Sequence, residues 1–326
     1  MSTNIEWTDR VWNPVTGCTK VSAGCKNCYA ERIAGRKLPQ GGFTDREFTE
    51  VRTHEDRLTQ PLSWRKEQRV FVNSMSDLFH ESVPFEFIYR VFTVMALSDH
   101  TFQILTKRPE RMKECIDRLD NSTRLPGYAD WPQLAPNRWL TEQIGPRRMQ
   151  EICEKPDVSN EWPMPNVWLG VSVENQETAD QRIPELLNTR AAVRFVSYEP
   201  ALGPVDFVRG GWSWLEPLFP PPGNYRGWDR GLDWIIVGGE SGPGARPFDV
   251  EWARSTVRQC KAAGVPVFVK QLGADPWDRS TNVGFAPGVA SQKYNIRTPK
   301  LKDRKGGDPS EWTEDLRVRE FPAVSR

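Results

Sequence analysis

Six short, apolar, β-branched runs recur along the chain: RVFVNS (69–74), TFQILT (101–106), NVWLGVSV (166–173), VRFVSY (193–198), DWIIVGG (233–239) and VPVFVKQ (265–271). Their length and their lack of a polar face predict strands buried on both sides. Helical patterns lie between them. PFEFIYRVFTVMALS (84–98) sets Phe85, Ile88, Phe92 and Met95 on one helical face, and PERMKECIDRL (109–119) opens with proline, which the first turn of a helix tolerates. NQETADQRIPELLNTR (175–190) and DVEWARSTVRQCKAAG (249–264) supply two more helices, the second ending in glycine. Parallel strands need long crossovers, so strand, helix, strand repeated in this way predicts a parallel sheet covered by helices. No GxGxxG follows the first strand, which moves the expectation from a Rossmann sheet to a partial or full parallel β/α barrel.

Two stretches interrupt the alternation. Residues at about 120–165, with NSTRLPGYADWPQLAPNRW and EWPMPN, and at about 209–232, RGGWSWLEPLFPPPGNYRGWDRG, are rich in Pro, Gly and Trp. They read as insertions on connecting loops, with room for one short helix at 140–154. The barrel core is expected over 1–273 and a polar, charged extension over 274–326, either wrapped on the barrel or mobile. A chain of 326 residues, 38% of them hydrophobic, is long enough to bury such a core. Forty-four basic and 43 acidic residues leave a net charge of +1, so no global field draws the chain to DNA or an anionic membrane. Any nucleic-acid surface has to be local. The opening MSTNIEWTDR has neither a basic n-region nor an apolar h-region, and no apolar run approaches the roughly eighteen residues of a membrane span. A soluble, cytoplasmic protein without a membrane partner is expected.

GCTKVSAGCKNCYAE (17–31) then places Cys18, Cys25 and Cys28 in one turn-rich segment, followed at once by Tyr29 and Glu31. In a reducing compartment so tight a cluster points to metal or redox chemistry and not to disulfides. Thiolates favour a soft metal or an iron–sulfur cluster over hard cations. A structural zinc site closes with four ligands, and the histidines, His54, His80 and His100, all lie outside this segment. Three ligands leave a position open, which in a cubane cluster means one iron free to bind a small molecule. Zinc completed by a distant histidine, and three unligated cysteines, stay as alternatives. Cys115, Cys153 and Cys260 stand alone and read as small buried side chains.

EWTDRVWNPVTGCTKVSAGCKNCYAE resembles the opening of a phage- and prophage-associated family with a three-cysteine motif. That family is itself similar to the radical S-adenosylmethionine (SAM) superfamily and, within it, to spore photoproduct lyase. The resemblance covers roughly residues 5–320, with NSMSDLFHE after the second strand, LTKRPERM after the third, GVSVENQ after the fourth, VSYEPALGP after the fifth and GGESGPGARP after the sixth. It implies a 4Fe-4S cluster on Cys18, Cys25 and Cys28 whose open iron chelates SAM. Electron transfer from a flavodoxin- or ferredoxin-type donor then yields a 5'-deoxyadenosyl radical that abstracts hydrogen. The cofactor contacts implied are Tyr29, Ser74, Ser76, Asp77, Ser172 and Glu174, and the catalytic candidates are Lys107, Glu199, Glu240 and Lys270, with Thr106 and Gln271 beside them. The chain departs from the superfamily in two respects: six residues separate the first two cysteines where three are usual, and Asn27 replaces an aromatic residue. Cluster binding is therefore better supported than SAM binding.

Each residue also has a plainer reading. Asp77 could cap a helix, Glu199 could serve an ordinary ion pair, and His80 could be a satisfied polar residue. Against this, six predicted strand ends carry acid, base or hydroxyl groups while the strand interiors are apolar. Arg108 and Arg111 lie beside Lys107, and Trp131, Trp139, Trp162, Trp212, Trp214 and Trp228 share the insertions with Arg124, Arg138 and Arg226. Such groups stack on bases or pin prolines in compact loops. Nucleic acid or a nucleotide as substrate, and a phage-encoded protein partner, follow from the resemblance. The competing class is a non-catalytic, phage-derived nucleic-acid-binding protein stabilised by a zinc or iron–sulfur site.

Overall fold

The computed structural model describes residues 5–36, 43–122, 135–153, 162–216, 230–278 and 301–323, with the backbone alone at 121, 122, 135–138, 152 and 153. Seven strands run parallel in one sheet: β1 (Arg10–Trp12), β2 (Arg69–Val72), β3 (Thr101–Thr106), β4 (Val167–Val173), β5 (Val193–Tyr198), β6 (Trp234–Gly238) and β7 (Val267–Gln271). Their order in the sheet is their order in the chain. The sheet curls into a half-barrel, so the barrel expected from the sequence is partial and open. Every residue of β4, β5 and β6 is buried, as their continuous apolar character requires. The strand missed in the sequence is β1. It is three residues long, too short to show a period, and lies in register with Val70, Phe71 and Val72 of β2.

The four patterned helices fall where the sequence places them. Short α1 (Tyr29–Ala34) and α2 (Glu55–Leu58) lie between β1 and β2, and α3 (Phe85–Ala96) follows β2 with Ile88, Phe92 and Met95 buried and Phe85 packed at the margin. After β3 comes α4 (Pro109–Ser122), then α5 (Ala135–Ile144) and α6 (Pro146–Cys153) in place of the single short helix expected there. α7 (Gln176–Leu187) follows β4 and carries Pro184 inside it. α8 (Val250–Ala263) joins β6 to β7, capped by Asp249 at its start and Gly264 at its end. In the second insertion a hairpin pairs Val208–Arg209 with Trp212–Ser213. No helix among the described residues is long and apolar enough to cross a membrane.

The helices cover one face of the sheet with the larger apolar core. The opposite face holds a second, aromatic cluster of Trp7, Phe71, Trp168, Phe195, Trp234 and Phe268. Alternation along each strand dictates what stands beyond these rings on the same face: Lys107 after Leu105, Ser172 and Glu174 after Trp168, Glu199 after Phe195, and Lys270 after Phe268. The inner face thus has an aromatic floor and a polar rim at the C-terminal ends of the strands. The tail does wrap: along β7, Val269 N donates to Val318 O at 2.8 Å and Glu320 N to Val267 O at 3.0 Å. Phe321 continues into the floor, 5.3 Å from the Trp234 ring and 5.4 Å from that of Phe268.

Candidate functional site at the C-terminal mouth

The cysteine segment leaves β1 and crosses the mouth formed by the strand ends. Gly17 starts the crossing at φ 92°, with the carbonyl oxygens of Glu50 and Phe48 where a Cβ would stand, so only glycine fits before Cys18. Gly17 N donates to Met75 O, and Ser76 Oγ to Val15 O at 2.8 Å, which ties the segment to the loop after β2. That loop turns out of β2 at Asn73, the one described non-glycine residue with positive φ, 61°, whose side-chain carbonyl accepts from Val15 N at 3.2 Å. Ser74 donates to Asn13 Oδ1 at 3.2 Å and accepts, through its carbonyl, from the Tyr29 hydroxyl. Ser74, Ser76 and Tyr29 therefore build the loop junction with the groups that the sequence reading assigned to a cofactor.

Three further strand ends, those of β3, β4 and β6, hold the segment. Asp77 is buried and accepts from Phe79 N at 3.0 Å, Thr106 Oγ1 at 2.8 and 2.9 Å, Lys107 N at 3.2 Å and Arg108 Nη1 at 3.2 Å. Its two oxygens are thus occupied by protein donors. From β4, Glu174 is fully buried against Arg182 at 3.2 Å and accepts from Ser22 Oγ at 2.9 Å, while Lys107 lies 3.6 Å away. A Cβ on Gly24 would meet the Glu174 carboxylate at 2.3 Å, so glycine before Cys25 lets the segment lie flat on that side chain. From β6, Glu240 accepts from Asn27 at 2.9 Å and from Arg246 at 2.7 and 2.9 Å; Arg246 also donates to Ala23 O at 2.9 Å. Burial opposes ionisation of Glu240, but the bonds from Arg246 and Asn27 outweigh it and hold the carboxyl below its ordinary range. Asn27, which also donates to Gly244 O at 3.0 Å, thus latches the segment to the end of β6. Beneath the segment, Lys107 Nζ donates to Ser172 Oγ at 2.6 Å, and Lys270 Nζ pairs with both oxygens of Glu199 at 2.7 and 2.8 Å. Gln271 Nε2 adds a bond to Glu199 at 3.1 Å. All the strand-end residues singled out in the sequence meet at this mouth.

The three thiols are free and half-buried. Cys25 closes a short 3-10 turn over Ala23–Cys25, and Cys28 precedes α1. Burial and the Asp77 carboxylate push the Cys18 thiol up to about 11 against the pull of Arg108, so it stays protonated at neutral pH unless a metal displaces the proton. Among the described residues no three His, Cys, Asp or Glu side chains converge as a single metal ion would require. A cubane, whose irons sit at separate corners, asks for a wider triangle of sulfurs. The chemistry of the donor set is what such a group takes, three soft thiols on one segment, beside which Lys20 pairs with Glu31 at 2.9 Å.

Several sequence expectations find other uses. His80 accepts from Ser82 N at 3.1 Å and bonds Thr19 Oγ1 at 2.9 Å, a satisfied polar residue. Arg111 donates to Val83 O at 2.7 Å and lies over the Phe85 ring, and Arg108 is committed within the site. A nucleic-acid backbone would have to be gripped by other cations. Trp162 is buried and Trp139 and Trp214 pack on the core, while Trp212 on the hairpin is exposed. Trp131, Trp228, Arg124 and Arg226 lie outside the described residues, as do the side chains of Arg138 and Cys153. Cys115 and Cys260 are buried, as expected. The sequence reading missed Ser22, Arg182 and Arg246. The signal available for Arg246 was its place after the glycine-rich GGESGPGA.

A family model for a protein of unknown function (DUF5131) matches residues 2–298, nearly the whole of this architecture. The chain belongs to the DUF5131 family. No curated protein and no solved structure matches it. What the site of this DUF5131 chain does therefore rests on its own geometry.

Proposed function

We propose that this chain is a radical SAM-like iron–sulfur enzyme, acting in the cytoplasm with a flavodoxin- or ferredoxin-type reductant. The observation that carries the reading is the bonding of one three-thiol segment to the ends of β2, β3, β4 and β6 over a rim of paired acids and bases. Cys18, Cys25 and Cys28 would hold the cluster. When bound, it would supply the electron that cleaves SAM to methionine and a 5'-deoxyadenosyl radical. The chain's own residues have three tasks. Glu174 and Glu240 fix the segment directly, and Asp77 does so through Arg108. The aromatic floor shuts the far end of the half-barrel to water. Lys107, Ser172, Glu199 and Lys270 offer donors and acceptors that can orient a polar ligand beneath the thiols.

Anaerobic reconstitution followed by iron, sulfide and zinc analysis tests the reading. About four irons per chain and a broad visible absorption are expected, both lost in Cys18→Ala, Cys25→Ala or Cys28→Ala. Dithionite-reduced protein given SAM should release 5'-deoxyadenosine slowly without any substrate. One tightly bound zinc and no iron would replace the enzyme by a metal-stabilised binding protein. An iron-replete, reducible cluster that leaves SAM intact would remove the SAM chemistry and keep the cluster.

A further inference from the structure

The structure assigns Arg108 the role of a positioning residue that sets the reduction potential of the thiolate site by donating to the Cys18 sulfur. The assignment rests on the cluster reading above and adds to it a control of redox poise.

All five guanidinium donors are directed. Nε donates to Glu81 Oε1 at 2.9 Å. One Nη1 hydrogen goes to Asp77 Oδ2 at 3.2 Å and the other to Cys18 Sγ at 3.7 Å. Nη2 donates to Thr19 O at 3.3 Å and to Thr19 Oγ1 at 2.9 Å. With a side chain only 7% exposed, the fork has no freedom to swing away from the sulfur. A protonated Cys18 donates to Thr19 O at 3.4 Å; as a ligand it has lost that proton and can only accept, and Arg108 is poised to donate. The Asp77 charge opposes that of Arg108 at the sulfur, but only Arg108 donates a hydrogen bond to it, at 3.7 Å, and that bond strengthens as negative charge builds on the sulfur. A cluster gains negative charge on reduction, so a buried donor at one of its sulfurs stabilises the reduced form more than the oxidised form and raises the potential. Lysine cannot replace the fork, since a single ammonium cannot reach Asp77, Glu81, Thr19 and the sulfur together.

The test is a redox titration of reconstituted protein, followed by the electron paramagnetic resonance of the reduced cluster, with iron and sulfide content as the control. Asp77→Asn combined with Arg108→Met removes both charges and the sulfur contact while keeping the local charge balance. Its midpoint is expected to be more negative by about a tenfold change in the reduction equilibrium, about 59 mV for one electron. Arg108→Lys should fall between this variant and the wild type. An unchanged midpoint in the double variant at full iron content overturns the assignment and leaves the cluster reading standing. If the double variant fails to hold iron, Arg108→Lys decides: a wild-type midpoint there overturns the assignment, and a more negative one supports it. Wild-type protein that takes up no iron overturns the cluster reading and the assignment with it.

Discussion

At the scale of the residue, the sequence announces which groups matter but not which of them use each other. Lys107, Glu174, Glu199, Glu240 and Lys270 stand out because charged side chains follow apolar strands. Nothing in one sequence says that Glu199 pairs with Lys270 or that Asn27 reaches Glu240, since these contacts join residues far apart in the chain. Gly24 shows the same limit. It is visible before Cys25, but the Glu174 carboxylate that requires it comes 150 positions later. Gly24→Ala is expected to force the segment off Glu174, an overpacking worth about 1–3 kcal/mol. It should lower both the urea midpoint and the iron taken up on reconstitution; unchanged iron uptake would show that the contact is incidental. His54 gives a pH test away from the thiols. It bonds Thr16 Oγ1 at 2.7 Å, and burial, with Arg57 and Arg46 beside it, pushes its imidazole down to about 4. The unfolded chain protonates this residue near pH ~6.5, ahead of the folded one. Its contribution to stability is therefore complete above about 6.5 and is lost as pH falls towards about 4. Urea midpoints measured from pH 7.5 to 4 should decline less steeply in His54→Gln than in the wild type, and parallel curves would refute the assignment.

Elements were far more legible than contacts, because period and length are local properties. Six of the seven strands and the four long crossover helices follow from apolar runs of two kinds; the structure keeps the runs at 101–106 and 193–198 whole and trims the other four strand runs by a residue or two. What escaped is whatever is too short to carry a period: β1, and the hairpin at Val208–Arg209 and Trp212–Ser213, which depends on a glycine turn. Element ends also do more than end elements. α7 starts with a capping box in which Asn175 accepts from Thr178 N at 3.0 Å, and the Thr178 hydroxyl accepts from Glu174 N at 2.9 Å. The cap therefore fixes the backbone of the residue that receives the cysteine segment. α8 is capped more simply, by Asp249 Oδ1 accepting from Glu251 N at 3.0 Å, a bond that fixes no residue receiving the segment. Asn175→Ala and Asp249→Ala should each cost about 1 kcal/mol in urea denaturation. Only the first should also reduce iron uptake. Equal effects of the two caps on iron would mean that general stability, and not the placing of Glu174, governs assembly of the site.

For the whole molecule, a half-barrel poses a problem that the alternation of strands and helices does not solve, because a sheet closed only in part leaves an exposed edge and an open lower end. The tail answers both, and its composition concealed it: Trp312, Leu316 and Phe321 are single apolar residues spaced along a polar stretch, without the period of a strand or helix. Val318 and Glu320 bond the outer edge of β7, and the indole of Trp234 donates to Glu320 O at 2.9 Å. Phe321 then reaches across the floor until the Arg69 guanidinium, at the start of β2, lies 4.1 Å over its ring. One side chain so links β6 and β7 to β2, which the sheet keeps apart. Phe321→Ala should lower stability by about 1–2 kcal/mol, less than a fully buried phenylalanine because the ring keeps some exposure. Truncation after Lys300 removes the edge bonds as well and should add concentration-dependent aggregation, followed by light scattering. The point mutant isolates the floor from the edge. If Phe321→Ala aggregates as readily as the truncated chain, the ring and not the β7 pairing protects the open side. If the truncated chain stays monodisperse at its full denaturation midpoint, the tail is an ornament on a half-barrel that is stable without it.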